Sequence, residues 1–536
     1  MLLLLTLLLL LLPTLPTLQL EKQMIYVATT GSDSSPGSQA QPLASMAGAA
    51  KAIVATLSGG LPTGGIEVRV AAGVYAVNAS TSLRLGHHFF GVNISGTAAA
   101  PIVLRGERSA DGVTPVTVLD GSMALDSTAL APVTNVTVLP VVNAAATGKL
   151  LSMKVSPAAA ALLAGSASLQ WGSSALTASR YPDVGLAYVG KVNNRGAVYA
   201  AGRTKGPPPH SSMAQPIGAN VTLWGDAAGI QPTGDWAAEL AAGFDGGRIQ
   251  GYFFADWYRQ TQSIARAELV GGNMTLKLQQ YSRYGYCEQM KQPPPQPCAG
   301  SAPGRFVASG LLSEVTQPGE YHFDQGSQTL YVFPPSPRPA KSEKFGIWAG
   351  PAAITLEGTS FVTVRDFEIR GVAQEPRYPG DQQTLAAVVI IGGDHNTVGG
   401  CTIHSSTRAG VALSGGRSNR FVGNDVYDVG VHVSSGECPS GKTSTCTESN
   451  AQSLQATNNL IANNHFTQKV RRDFYGGIRL RGLGDRLSHN LAHDASGQYL
   501  TPNGPLTIID SNEVFNTGYS EGDGGVMYNG MQLWGG

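Results

Sequence analysis

Charge is scarce in this sequence, and neither sign dominates. Of its 536 residues 13% are charged, with Lys and Arg numbering 36 and Asp and Glu 36. That balance implies no nucleic acid or anionic membrane surface as a partner. No apolar run crosses a bilayer comfortably. The one candidate, LLLLTLLLLLL at 2–12, stops before Pro13 and Pro16 and has the length of a signal-peptide core. A basic segment ahead of it and an A-x-A cleavage site are both missing, which keeps a signal anchor as the alternative. We expect secretion, with no membrane span once the leader is removed.

Cysteine is also sparse. Four of the five lie in close pairs within polar loops, Cys287 with Cys298 and Cys438 with Cys446. In an oxidising compartment, disulfides closing these loops are the expected outcome. Neither pair has zinc spacing with further ligands nearby. Glycosylation sequons at Asn78, Asn93, Asn135, Asn220 and Asn273 fit the same compartment.

Glycine, by contrast, is plentiful at 67 residues, which suits turn-rich β-architecture rather than helical bundles. From Val398 onward a short phrase recurs: an apolar residue, two variable ones, a slot usually filled by Asn, one variable residue, another apolar one. Its instances are VGGCTI at 398–403, FVGNDV at 421–426, IANNHF at 461–466, LSHNLA at 487–492 and the phrase beginning at Ile509. They start 23, 40, 26 and 22 residues apart, the 40 reflecting one inserted loop. Short strands at such a period mark a solenoid whose coils bury apolar faces only by stacking. The expected fold is all-β, a right-handed parallel β-helix with a short N-terminal capping helix and an inserted β-rich subdomain. Asn424, Asn464, Asn490 and Asn512 would bond coil to coil as a ladder. Cys401, in the same slot, would be a buried free thiol.

Four parts are expected along the chain: a signal peptide at 1–23; the cap and first coils at 24–123; a β-rich insertion or irregular coils at 124–345; and the Asn-ladder coils at 346–536. The last coil would end uncapped at LWGG, so either the sequence is a fragment or that coil is exposed.

Several stretches carry a resemblance. LQWGSSALTASRYPDVG at 169–185, the GEYHFDQGSQTLYVFPP hairpin at 319–335, the run ITLEGTSFVTVRDFEIRG at 354–371, and HNLAHDA at 489–495 followed by EGDGGVMY are similar in kind and order to glycoside hydrolase family 141. The resemblance covers most of the chain. It implies two catalytic aspartates, which fall on Asp494 and Asp523, and substrates containing fucose or xylose. The loop between them, SGQYLTPNGPLT at 496–507, is shorter than the family's.

Glycosidases need one carboxyl group to protonate the leaving oxygen and another as nucleophile or base. Asp494 and Asp523 lie on consecutive coils, so a spacing of about 5 Å is within reach. Glu521 is the reserve acid. The residues just after each ladder phrase should line one face: His404-Ser405, Tyr427-Asp428, Thr467-Gln468, His493-Asp494 and Phe515-Asn516. His493, Asp428, Arg479, Arg481 and Tyr528 are the expected substrate contacts. His489 and His493 are four apart, but on a strand-and-turn pattern they need not face one way, and no metal or cofactor is expected. The expected partner is a polysaccharide or oligosaccharide, and the protein is expected to be a monomer.

Two other readings stand beside this one. A polysaccharide lyase or epimerase, resembling polysaccharide lyase family 6 in its opening, would use Lys469, Arg471 and Arg472, with calcium neutralising a uronate. A non-catalytic extracellular binding or adhesion protein could use the same scaffold.

Overall fold

A computed structural model describes the chain from residue 22 to residue 527. It excludes 165–167, 173, 195–219, 225–233, 246, 254–258, 271–272, 280–285, 287–303, 337–344, 374–385, 436–455, 470–476, 497–498 and 519–524. The expected disulfide cysteines, the leader, Glu521, Asp523 and Tyr528 therefore lie outside the described residues.

Strands of three to six residues, with Val, Ile, Leu or Phe pointing inward, stack in parallel register into three faces of a coil. The first face is a nine-stranded sheet running from Gln23–Val27 through Ile102–Arg105 and Val362–Arg365 to Ile508–Asp510. The second and third faces are arms of one larger sheet. They are joined where the long strands Thr402–Ser414 and Asp425–Ser435 run through the corner between them. Parallel strands connected this way take the right-handed crossover, and the chain is a right-handed parallel β-helix.

Tight turns between faces need left-handed backbone, which Asn, Asp, Gly and a few polar residues supply. One column of such residues holds Asp366, Gly400, Gly423, Asn463, His489 and Ser511, with φ between 54° and 70°. The ladder slot follows directly. Asn424 Nδ2 donates to Asn464 Oδ1 at 3.0 Å, Asn464 Nδ2 to Asn490 Oδ1 at 2.9 Å, and Asn490 Nδ2 to Asn512 Oδ1 at 2.9 Å. Each Asn oxygen also accepts the backbone N–H of the preceding slot, ending at Cys401. Cys401 is a free thiol, 1% exposed.

A second ladder, not anticipated, occupies the turn between the third and first faces. The N–H of Asn396 donates to Asn419 Oδ1, that of Asn419 to Asn459 Oδ1, and that of Asn459 to Asp485 Oδ1, each at 3.0 Å. Asp485 also accepts Thr457 and Ser435 hydroxyls at 2.6 Å. All four slot residues have no exposed surface, so these bonds satisfy backbone that water cannot reach.

The helix Met46–Ser58 begins at Ser45, whose Oγ accepts the Gly48 N–H at 3.0 Å. Met46, Ala49, Ala50 and Ile53 join the solenoid core beside the first strand and the strand Leu83–Gly86.

The coil is interrupted, then resumes. The strand Ile102–Arg105 pairs directly with Val362–Arg365, and Thr117–Asp120 with Glu368–Arg370. Between them, Ser122–Ala124 leads out antiparallel to the returning strand Phe345–Trp348. Gly121 and Gly350 face each other at this point. A Cβ on either would come within 2.7 or 2.5 Å of the other's Cα, so only glycine fits. The excursion forms three mainly antiparallel sheets with apolar clusters of their own, built for example on Trp236 with Phe306 and on Trp171 with Phe345. It includes the Glu320–Asp324 and Thr329–Val332 hairpin.

Candidate functional site

On the second face, the inward residue of each strand is apolar: Leu119, Ile369, Ile403, Val426, Phe466 and Ala492 are at most 1% exposed. The pleat turns the residues on either side outward. In register they make two adjoining columns. One holds Glu368, Thr402, Asp425, His465, Leu491 and Glu513; the other holds His404, Tyr427, Thr467, His493 and Phe515, continuing the pair Asp120 and Arg370. Of each expected pair the first residue stands in this column, whereas Ser405, Asp428 and Gln468 are buried at the corner that follows.

These columns form one polar row across successive coils. Arg370 bridges Asp120 at 3.2 Å and Glu368 at 2.8 Å, and Glu368 meets His404 Nε2 at 3.2 Å. His404 stacks on Tyr427 with centroids 4.7 Å apart. Lys469 Nζ lies 3.3 Å from the centre of the Tyr427 ring, a cation–π contact, and 4.0 Å from Asp425 Oδ2. Asp425 Oδ1 meets His465 Nδ1 at 2.9 Å, and His465 Nε2 meets His493 Nε2 at 2.9 Å. His493 Nδ1 meets Asp494 Oδ2 at 2.7 Å, while Asn516 Nδ2 donates to Asp494 Oδ1. Phe515 stacks on His493 at 4.9 Å and closes the row.

Two of the carboxylates, Asp494 and Glu368, are held ionised. The His493 and Asn516 hydrogen bonds put the Asp494 carboxyl below the usual range. At Glu368 burial pushes upward, but His404 and Arg370 outweigh it and the net shift is downward. Burial, then the charges of Asp425, Glu368 and Asp428, push the Tyr427 hydroxyl up and keep it protonated. The row thus offers ionised oxygens, N–H and O–H donors and aromatic edges to a ligand rich in hydroxyls. Asp494, with a side chain 44% exposed, is the most open of its paired carboxylates.

Asp494 occupies a left-handed turn, φ 56°, as do Ser405, Asp428 and Asn516 on other coils. That conformation belongs to the corner and is no sign of chemistry by itself. Asp428 corrects an expectation: it is 5% exposed, closed to a sugar at the same corner. Arg479 lies beyond this corner on the third face, level with Ser434 and Thr501, and Arg481 follows it; neither joins the row. Asp425 and His465 were missed, although each stands two residues before a position already assigned to this face; Glu368 and Arg370 lie on an earlier coil, Glu368 level with Thr402, where no residue had been assigned. Exposed side chains at Asn78, Asn93 and Asn135 carry three of the sequons. A cleft of about 540 Å³ lies elsewhere, among the antiparallel strands, lined by Lys154, Phe244, Asp324 and Tyr331 among others.

The family described as "Right handed beta helix region" matches residues 352–535, in agreement with the stacked coils. Among solved structures, the chain is similar to one titled "Glycoside hydrolase", at 11% identity over 93% of this chain and 97% of that one, TM-score 0.47. It is also similar to a complex of XylC with xylose, at 12% identity over 92% of this chain and 62% of that one, TM-score 0.39. Both scores are low, and neither likeness bears on activity. No curated protein matches the chain.

Proposed function

We propose that this protein is a secreted glycoside hydrolase acting on a cell-wall or matrix polysaccharide laid along the polar row. Asp494 is one of its two carboxyl groups and Asp523 the other, with Glu521 in reserve. The observation that carries this reading is the state of Asp494: half-exposed, with both oxygens accepting hydrogen bonds, at one end of a face lined with donors and acceptors. A carboxylate kept ionised in this way suits the nucleophile, or the base that activates water, and not the proton donor. The donor role then falls to Asp523. A separation of about 5–5.5 Å between the two carboxyl groups would give retention, and about 6.5–9.5 Å inversion. The family resemblance favours fucose- or xylose-containing glycans.

The test is hydrolysis of a panel of plant and matrix polysaccharides by the wild type, D494N and D523N. Each variant should lose activity by at least about a hundredfold while still binding the polymer that the wild type cleaves. Unchanged activity in D494N would sink the assignment.

One observation favours the lyase as a second reading. Lys469 sits on Tyr427 beside Asp425, where a base could face a uronate. A product absorbing in the ultraviolet would select it. Binding without cleavage would select the adhesion scaffold.

A further inference from the structure

Between Asp425 and Asp494 the row contains two imidazoles placed edge to edge. Each turns Nδ1 to a carboxylate, at 2.9 Å for His465 and 2.7 Å for His493, and the two Nε2 atoms face each other at 2.9 Å. Carboxylates only accept hydrogen bonds, so both Nδ1 atoms carry protons. If both rings were neutral, two lone pairs would then meet at Nε2. One additional proton removes the conflict, because one ring becomes an imidazolium and donates Nε2–H to the other. Four ring nitrogens hold three protons, and all three hydrogen bonds are made.

We propose that His465 is a positioning residue for Asp494: by sharing one proton with His493 it holds that ring in the orientation that donates Nδ1–H to the Asp494 carboxylate. This rests on the reading of Asp494 as a reacting group. The charged and titratable neighbours agree with a net proton here. Asp425 and Asp494 cap the ends, and Lys469 is held on Tyr427 and Asp425. Thr467 Oγ1 lies 3.4 Å from His493 Nδ1. Buried His432 feels His465 from the inner side, and Glu513 stands two rungs along the same column. A transition-metal ion is the other species that two facing lone pairs could hold. Among the described residues, no third His, Cys, Asp or Glu completes a ligand set, so the proton is favoured.

The arrangement works in a window of pH. Raising the pH removes the shared proton and sets lone pair against lone pair. Lowering it adds a second proton and sets N–H against N–H. In either case the contact between the rings turns repulsive, and His465 no longer holds His493 toward Asp494.

The experiment compares the full-length wild type with H465Q, whose amide preserves size and polarity but cannot take up the proton. On whichever glycan the wild type cleaves, kcat should fall about tenfold or more with KM within a factor of about two, and the alkaline limb of the kcat profile should disappear or move. Independently of activity, imidazole ¹⁵N spectra of the wild type at neutral pH should show both Nδ1 atoms protonated and one proton common to the Nε2 pair; in H465Q, His493 should become a mixture of tautomers. Wild-type kcat and pH profile in H465Q, or two rings titrating independently in the wild type, would overturn the proposal. Spectra that change on adding EDTA would overturn it in favour of a metal. If the wild type cleaves no glycan, the hydrolase reading fails, and the spectra still uphold or overturn the shared proton.

Discussion

Replacing Asn464 by alanine should cost more than its size suggests. The residue is 2% exposed, and its amide makes four hydrogen bonds. Oδ1 accepts the backbone N–H and the Nδ2 of Asn424 at 2.9 and 3.0 Å, and Nδ2 donates to Asn490 Oδ1 and Phe421 O at 2.9 Å each. Asn424 Nδ2 keeps Val398 O, and Asn490 Oδ1 keeps the Asn464 backbone N–H. The Asn424 N–H is orphaned outright, at about 1–3 kcal/mol. The other losses are ordinary hydrogen bonds at about 1 kcal/mol each. A local cost of about 4–6 kcal/mol follows. A long stacked coil need not unfold in one step, so the appropriate assay is native-state hydrogen exchange at the amides of Asn424 and Asn464. With about 1.4 kcal/mol per factor of ten, N464A should speed exchange at Asn424 by roughly a thousandfold to ten-thousandfold. N512A acts at the half-buried end of the ladder, where water replaces the lost acceptor, and should cost about 1 kcal/mol. Equal effects from the two, or wild-type exchange at Asn424 in N464A, would refute the claim that buried coil-to-coil bonds carry this turn.

Two further outcomes are expected. Burial pushes the Cys401 thiol up to about 12, so Cys401 should not react with a disulfide reagent in native protein, and denatured protein should show one reactive thiol if the other four cysteines are paired and five if they are not. His432, with no exposed surface, bonds Thr467 O through Nε2 and receives the Gly477 N–H on Nδ1. Burial lowers its pKa to about 4. Between that value and the unfolded one of about 6.5 the unfolded chain binds a proton that the folded chain refuses, so stability is lost as pH falls through this window, by about 3 kcal/mol. Glu320, raised to about 7 mainly by burial, acts with opposite sign over much of the same range. On going from pH 7 to 4.5 in urea unfolding, His432→Gln should therefore lose about 2–3 kcal/mol less stability than the wild type, whatever the net wild-type change.

Parallel coils and the first Asn ladder were legible because turn chemistry and apolar spacing repeat together. The second ladder repeats with the same offsets, 23, 40 and 26 residues from Asn396 through Asn419 and Asn459 to Asp485. It was overlooked because its last member is Asp and its flanking residues are polar. His493 and Asp494 were found through position alone. Asp425 and His465 belong to the same face by the two-residue period of a strand, and that step was not taken along each phrase. The closeness of the two imidazoles follows from side-chain rotamers, which no spacing reveals. Asp428 shows the converse: a residue at the right interval can lie sealed in a corner. For the antiparallel excursion no period exists to be read, since its pairings join strands as distant as Ser122–Ala124 and Phe345–Trp348.

The excursion that leaves and returns at the facing glycines 121 and 350 also separates paired strands widely in the order of synthesis. A ribosome delivers the strand Ile102–Arg105 long before its neighbour Val362–Arg365. At ordinary elongation rates the delay across these roughly 250 residues is roughly 10–50 s. Through that interval the nascent coil presents an unpaired parallel edge, which in other settings invites adhesion between chains. The intervening sheets have their own apolar clusters and can collapse meanwhile, drawing Phe345–Trp348 back beside Ser122–Ala124 and delivering the next strand to the waiting edge. Removing the excursion, with Gly121 joined directly to Gly350, would shorten that exposure to almost nothing.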